Sequence, residues 1–174
     1  RRNILPANHN RAVDAAKILN LPFMCAHTVA DDLVNYYLQK KMDREQPETL
    51  GEIIKLLRQE PEYKFAAQMG AGPVIVVGDK NRRAGKIMLD MTGGTGGSKD
   101  ALEKMAQAGI GTIIGMHMGE AHRKEAEKYH INVIIAGHMS SDSIGLNLLL
   151  GYLEEKGVEI IPCSGFIRNP RRME

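Results

Sequence analysis

Apolar residues recur at helical spacing along the first third of the chain, interrupted by one continuous apolar run. The spacing predicts helices over about 8–19, 30–42 and 49–60. The run at 22–26 predicts a short buried strand. We expect 63–79 to be strand or mixed structure that ends in a strong strand at 73–77.

From residue 86 onwards, strand-like runs alternate with helical patterns. Strands are predicted at 86–91, 112–116, 131–136 and 158–161, with a helix between successive strands. The alternation predicts an α/β fold whose sheet is mostly parallel, with packed helices and functional groups at the carboxyl ends of the strands. The charged stretch 40–62 is the best candidate for an insertion or a lobe boundary. We therefore expect two lobes, the remainder of an N-terminal lobe over 1–66 and a C-terminal lobe over 67–174.

Composition excludes some classes of protein. The 174 residues, 43% of them hydrophobic, suffice for one sizeable domain or two small lobes. The 23 basic and 21 acidic residues, with 5% aromatics, argue against a nucleic-acid partner. No apolar run is long enough to cross a bilayer. The arginines near the two ends are expected to be solvated: Arg1, Arg2, Arg168, Arg171 and Arg172.

Cysteine usage points to a reducing compartment. Cys25 and Cys163 are the two cysteines, and no secretion signal is visible, so we expect a cytoplasmic protein with free thiols. Cys25 falls inside the strand predicted at 22–26 and is expected to be inert. Because the chain begins with Arg1 rather than Met, we expect natural sequence to be missing upstream.

One chemical motif occurs twice. His27 precedes Asp31 by four positions after the run at 22–26, and His138 precedes Asp142 in the same way after 131–136. A strand end and the first turn of the next helix can direct an imidazole and a carboxylate to one point. Two such units would offer nitrogen and oxygen donors that suit Zn, Mn, Fe, Co or Ni better than Ca or Mg.

A third predicted strand also runs into histidines, His117 and His122. An imidazole titrates near neutral pH, so either could move protons at the same edge of the sheet. Each His–Asp unit alone has an ordinary alternative, namely a hydrogen-bonded structural histidine and an aspartate favoured by the helix dipole. The repetition of the unit favours a metal or catalytic site.

A glycine-rich turn at 93–97 precedes a helix for which Ser98 is a natural cap. Its backbone N–H groups could hold an anion such as phosphate. The turn matches neither the P-loop nor the dinucleotide-binding pattern, and a tight packing corner is an equally good interpretation.

These motifs, in this order, closely resemble one family. The matching segments are Ala26-His27-Thr28-x-x-Asp31, a Gly-Gly-Thr-Gly-Gly-Ser turn, and Ala136-Gly137-His138-x-x-Ser141-Asp142. The family is that of the Nif-three-like dinuclear-metal proteins, also described as GTP cyclohydrolase 1 type 2 homologues. The resemblance covers about 20–166. It implies a two-lobed α/β subunit, often assembled into a toroidal hexamer, with two metal ions between the lobes.

The resemblance also implies roles for single residues. Asp31, His138 and Asp142 fall on the family's metal ligands. His27 then becomes a neighbour of the metal with a catalytic role rather than a ligand. Asp142 stands where the family usually has Glu, and the shorter side chain would shift or weaken a bridging position.

Two further departures from the family concern the segments around the ligands. The family has a Thr-Gly-acid segment that ends in a histidine, and residues 115–122 correspond to it here. His122 matches the final histidine. The family's acid is absent, and His117 is the candidate to replace it. The family's His-His-Pro ligands have no counterpart upstream of residue 20. We therefore expect either a missing N-terminal portion or an altered second metal position.

Two functions follow from the resemblance and stay open. The first is a metal-dependent hydrolase of a nucleotide-like or phosphoester small molecule. The second is a non-catalytic metal-holding scaffold or regulatory interaction partner.

Overall fold

The computed structural model describes residues 10–93 and 97–172, which form one four-stranded sheet with helices packed on it. The helices and strands follow in the order α1 (Arg11–Ile18), α2 (His27–Glu45), α3 (Leu50–Leu57), α4 (Pro61–Gln68), β1 (Val74–Val77), β2 (Lys86–Asp90), α5 (Ala101–Gln107), β3 (Ile110–Gly115), α6 (Glu120–Lys128), β4 (Asn132–Ile135) and α7 (His138–Glu155). The predicted α/β class is confirmed.

The sheet is mostly parallel, as predicted, and its strand order is β1-β4-β3-β2. Strand β3 runs parallel to both β2 and β4, whereas β1 pairs antiparallel with β4 at one edge. Gly115 is in register with both Asp90 and Ile135, so these three strands end at the same edge. The segments that follow them therefore emerge side by side.

Two apolar clusters cover the two faces of the sheet, because successive residues of a strand point to opposite sides. Ile113 belongs to one cluster and Ile114 to the other. The larger cluster joins helices α2, α3 and α7 to the sheet through Val34, Leu38, Leu50, Ile53, Ile134, Ile144 and Leu148. The smaller cluster involves α5 and α6 through Leu102 and Ala126.

Local chemistry explains where the helices of the first half begin and end. Helix α3 begins after Thr49, whose hydroxyl accepts the backbone N–H of Glu52 at 3.3 Å. The helix predicted over 49–60 ends at Leu57, and Pro61 occupies the first turn of α4, where its missing N–H costs nothing. The N-terminal part of 63–79 is therefore helical rather than strand.

Two predicted strands are not formed. Residues 22–26 and 158–161 have no strand partner among the described residues, and both segments are exposed. The side chain of Met24 is 71% exposed and that of Ile161 is 78% exposed. An apolar run becomes a strand only where another strand supplies hydrogen bonds. Cys25 is consequently exposed, not enclosed in a strand as expected.

The C-terminal arginines are not solvated as a group. Arg171 donates to both Glu60 and Glu62, and Arg168 donates to Glu154. These ion pairs hold the last described segment against the helices, and only Arg172 fits the expectation of a solvated side chain. Arg1 and Arg2 lie outside the described residues.

Two further expectations concern membrane spans and the division into lobes. No described helix is long and apolar enough to cross a membrane. The division into lobes at residue 66 stays a prediction, and the larger apolar cluster draws residues from both sides of it.

Candidate metal centre

Helices α2 and α7 each begin with the histidine of the repeated motif. His27 is the first residue of α2 and His138 is the first residue of α7. Asp31 and Asp142 follow one helical turn later on the same face as their histidines. Because α2 and α7 pack against each other, the two motifs meet across their N-terminal turns.

The distances within this group are short. Nε2 of His27 lies 3.6 Å from Oδ1 of Asp31 and 3.8 Å from Oδ2 of Asp142. Nε2 of His138 lies 3.6 Å from the same oxygen of Asp142. One donor atom from each of His27, His138 and Asp142 lies within 4.8 Å of the other two. These three residues could hold one metal ion.

Both aspartates carry an oxygen that lacks a partner. Oδ1 of Asp31 and Oδ1 of Asp142 are buried and accept no hydrogen bond from the described residues. A buried carboxylate oxygen without a partner is costly, and a cation would remove that cost. Burial raises the pKa of Asp142, the two imidazoles oppose that rise, and the Asp31 carboxylate adds to it. The donor set therefore fits a divalent metal.

Gly93 fixes the second oxygen of Asp31. Its backbone N–H donates to Oδ2 of Asp31 at 2.9 Å. A β-carbon at position 93 would come 2.5 Å from Cε1 of His27, so a side chain there would have to displace the imidazole. The packing interpretation of the glycine turn thus holds at Gly93, whereas 94–96 lie outside the described residues.

The chain also matches known proteins. A model of the Duf34/NIF3 (NGG1p interacting factor 3) family matches residues 5–170. The chain belongs to this family. The resemblance drawn from the motifs is thereby confirmed. No curated protein matches.

Two solved structures are similar to this NIF3 chain. The crystal structure of a NIF3 superfamily protein from Sphaerobacter thermophilus is 25% identical, with a TM-score of 0.69 over 91% of this chain and 59% of that chain. Reduced HcgD from Methanocaldococcus jannaschii is 15% identical, with a TM-score of 0.45 over 64% of this chain and 40% of that chain. This chain thus spans about three fifths of the Sphaerobacter protein.

The two other histidines predicted to act at the site, His117 and His122, lie at different distances from the candidate metal centre. The ring of His117 lies 5.1 Å from that of His138, at an interplanar angle of 50°. Nε2 of His122 donates instead to the carbonyl oxygen of Gly97 at 3.2 Å. Both histidines line a cavity of about 420 Å³, together with Asp90, Thr92, Gly97, Ser98 and the neighbouring apolar side chains.

The set of three residues differs from the ligand set that the resemblance implied. His27 is within the group that could hold one ion, whereas Asp31 stands beside it through its contact with His27. Which of the four side chains act as ligands stays a prediction. The repeated motif, taken without the resemblance, had already pointed to all four.

Sequence reasoning missed Tyr63, which anchors the first turn of α7. Its hydroxyl is buried and shares a hydrogen bond of 2.8 Å with Oγ of Ser141. Ser141 in turn donates to the carbonyl oxygen of Gly137 at 2.6 Å. Nothing in the local sequence marks this contact, because 78 positions separate the two residues.

Proposed function

We propose that this NIF3 chain holds one or two divalent transition-metal ions between the N-terminal turns of α2 and α7 and hydrolyses a small nucleotide-like or phosphoester substrate. The observation that carries the proposal is the convergence of His27, His138 and Asp142, beside two buried carboxylate oxygens that have no described partner. Imidazole and carboxylate together suit Zn, Mn, Fe, Co or Ni.

The metal would be held by donors from both helices. His138 and Asp142 offer a nitrogen and an oxygen from α7, while His27 and Asp31 offer the same pair from α2. Gly93 keeps the Asp31 carboxylate in one orientation through its N–H. A divalent ion at such a position supplies Lewis acidity to a substrate oxygen.

The cavity beside the centre is where we place the substrate. Its volume of about 420 Å³ is within the range of small-molecule sites. Because His117 lines this cavity and also contacts His138, we assign it the transfer of a proton to or from the substrate. His122, held by the Gly97 carbonyl, would orient the substrate on the other side.

A metal titration tests the first half of the proposal. Calorimetry with Zn²⁺ or Mn²⁺ on the protein freed of metal by a chelator should give saturable binding. His138→Ala and Asp142→Asn should weaken that binding at least tenfold. The control is His130→Asn, since His130 is exposed and lies at the opposite end of β4 from His138, and asparagine tolerates its positive φ. Equal binding by all four proteins would overturn the proposed centre.

Turnover tests the second half and separates it from the alternative. The metal-loaded protein is assayed against nucleotides and phosphoesters, and Asp31→Ala and His138→Ala are expected to abolish any activity. Tight metal binding without turnover on either substrate class would instead favour a metal-holding scaffold or regulatory partner. That alternative is supported by the 54% exposure of the His27 side chain, which leaves the centre accessible to another macromolecule.

We also propose that the chain self-associates in the cytoplasm. The exposed apolar side chains of Ile18, Leu19, Phe23 and Met24 form a stretch suited to a subunit interface. Both cysteines are free and exposed, as suits a reducing compartment. Light scattering after gel filtration should give a mass several times that of the monomer, and Phe23→Ser with Met24→Ser should lower it.

A further inference from the structure

A second cavity, of about 490 Å³, lies along the later turns of α2. Its lining residues within the described chain are all cationic or tyrosine: Tyr36, Tyr37, Lys40, Lys41, Arg44, Arg171 and Arg172. Lys40 and Arg44 are one helical turn apart on α2, and they come more than two turns after Asp31. We call this the basic cavity. It is separate from the candidate metal centre.

The inner wall of the basic cavity is held in place by a buried carboxylate. Glu60, whose side chain is 5% exposed, accepts from both Lys41 and Arg171. Arg171 also donates to the hydroxyl of Tyr37 at 3.0 Å and lies over the Tyr37 ring. Arg171 also pairs with Glu62, so carboxylates balance the charges of this wall, and the exposed cations of the rim supply the positive charge for a ligand. The contacts hold the wall in place in advance, which lowers the entropic cost of binding.

The rim of the basic cavity consists of exposed cations. Lys40 lies with its ammonium 4.8 Å from the Tyr36 ring centroid. Arg44 pairs with Glu45 at 3.0 Å, and Arg172 with Glu155 at 3.2 Å. Ion pairs between exposed side chains contribute little in water, so these arginines can exchange a carboxylate for a stronger anion.

We propose that the basic cavity binds a small molecule with at least two linked phosphate groups. The cations approach from two chain segments, α2 and the C-terminal segment, so one ligand must present oxygens in two directions. A monocarboxylate reaches only one wall. A diphosphate offers several oxygens at each end, and arginine binds such oxygens in a bidentate manner.

Inorganic pyrophosphate is the probe for the test. Its binding is measured by calorimetry in 150 mM salt, with a chelator present so that no metal occupies the candidate centre. We expect one site per chain and a Kd below about 1 mM. Sodium acetate at the same concentration should give no saturable heat.

A charge-matched pair of variants tests whether pyrophosphate binds at the basic cavity rather than to exposed cations in general. Lys40→Gln with Arg44→Gln removes two exposed cations one turn apart on α2. The control, Lys124→Gln with Lys128→Gln, removes two exposed cations at the same spacing on α6, and Lys128 also lies over a tyrosine ring. Both proteins should keep the parent's circular dichroism spectrum, because all four side chains are exposed.

The two variants should differ clearly in their affinity for pyrophosphate. The α2 variant is expected to bind pyrophosphate at least tenfold more weakly than the parent, with metal binding at the other centre unchanged. The α6 variant should bind within twofold of the parent. Absence of binding by the parent, or an equal loss in both variants, would overturn the basic cavity as a phosphate site without bearing on the metal centre.

Discussion

Gly145 on α7 lies against the carbonyl group of Ala30 on α2, so closely that a β-carbon at position 145 would come 2.0 Å from the carbonyl oxygen. Ala30 directly precedes Asp31, and Gly145 follows Asp142 within one helical turn. The contact therefore sets the distance between the two halves of the candidate metal centre.

Gly145→Ala should push α2 and α7 apart. The added methyl group has no space beside backbone atoms, and overpacking of this kind costs roughly 1–3 kcal/mol of unfolding free energy. Because the helices carry the donors, metal affinity should fall as well, by at least tenfold. Urea unfolding measures the first effect and calorimetric metal titration measures the second.

Gly151→Ala is the matched control for that variant. It lies on the same helix, and its β-carbon would come 1.9 Å from the carbonyl oxygen of Arg171, in the C-terminal segment. A similar loss of stability is expected, but metal affinity should stay within twofold of the parent. If Gly151→Ala lost metal affinity as strongly as Gly145→Ala, general destabilisation would explain both results.

Gly93→Ala should displace His27 and release one oxygen of Asp31. The new methyl group would meet both His27 and Oδ2 of Asp31, at 2.5 and 2.9 Å. Nitrogen NMR of the imidazoles should show a changed His27 signal before any metal is added. Gly119→Ala is the control, since its β-carbon would be 3.7 Å from its nearest neighbour. An unchanged His27 signal in Gly93→Ala would contradict the close approach.

Glu60 should make the fold sensitive to acid. Burial alone would raise its pKa, but Lys41 and Arg171 outweigh burial and hold the pKa below the ordinary glutamate value. A carboxylate whose pKa is lowered by folding stabilises the fold above its unfolded pKa, and that stability is lost as the pH falls through the folded pKa. The unfolding free energy should therefore drop below about pH 4.5.

Glu60→Gln isolates this contribution. The variant should be less stable at neutral pH, because Arg171 and Lys41 lose a buried charged partner, and its unfolding free energy should decline less than the parent's between pH 5 and pH 3. Glu120→Gln is the control, since Glu120 is exposed and pairs only at the surface of α6. Parallel pH curves for the parent and Glu60→Gln would exclude this carboxylate as the source.

Tyr63→Phe should cost about 1 kcal/mol of unfolding free energy, the typical net value of one hydrogen bond. The change leaves the apolar packing of the ring in place and removes only the bond to Ser141. Tyr129→Phe, at the surface of α6 where the hydroxyl meets Lys128, should leave the stability within about 0.5 kcal/mol of the parent. Equal midpoints in urea for the two variants would contradict the anchoring role of Tyr63.

The sequence predicted the parts of the fold that depend on local pattern. Strands β2, β3 and β4 have mostly apolar centres and are separated from one another by α5 and α6, and their parallel arrangement follows from that alternation. The repeated His–Asp spacing predicted the candidate centre because each pair acts within a single helical turn. It placed His27 at the end of a strand, whereas that residue follows an exposed, unpaired segment.

The errors arise where distant parts of the chain decide the outcome. The runs at 22–26 and 158–161 have strand-like composition, but pairing depends on a neighbour that their own residues do not specify. Arg168 and Arg171 look like a solvated tail because their partners, Glu154 and Glu62, lie elsewhere in the chain. No local pattern encodes such partners.

The candidate centre joins residues 27–31 to residues 138–142, so about two thirds of the described chain lies between its halves. No partly folded chain that has yet to dock α7 on α2 can offer both sets of donors to one ion. Capture of a metal would therefore report that folding is complete, and the ion would shift the equilibrium towards the finished tertiary structure.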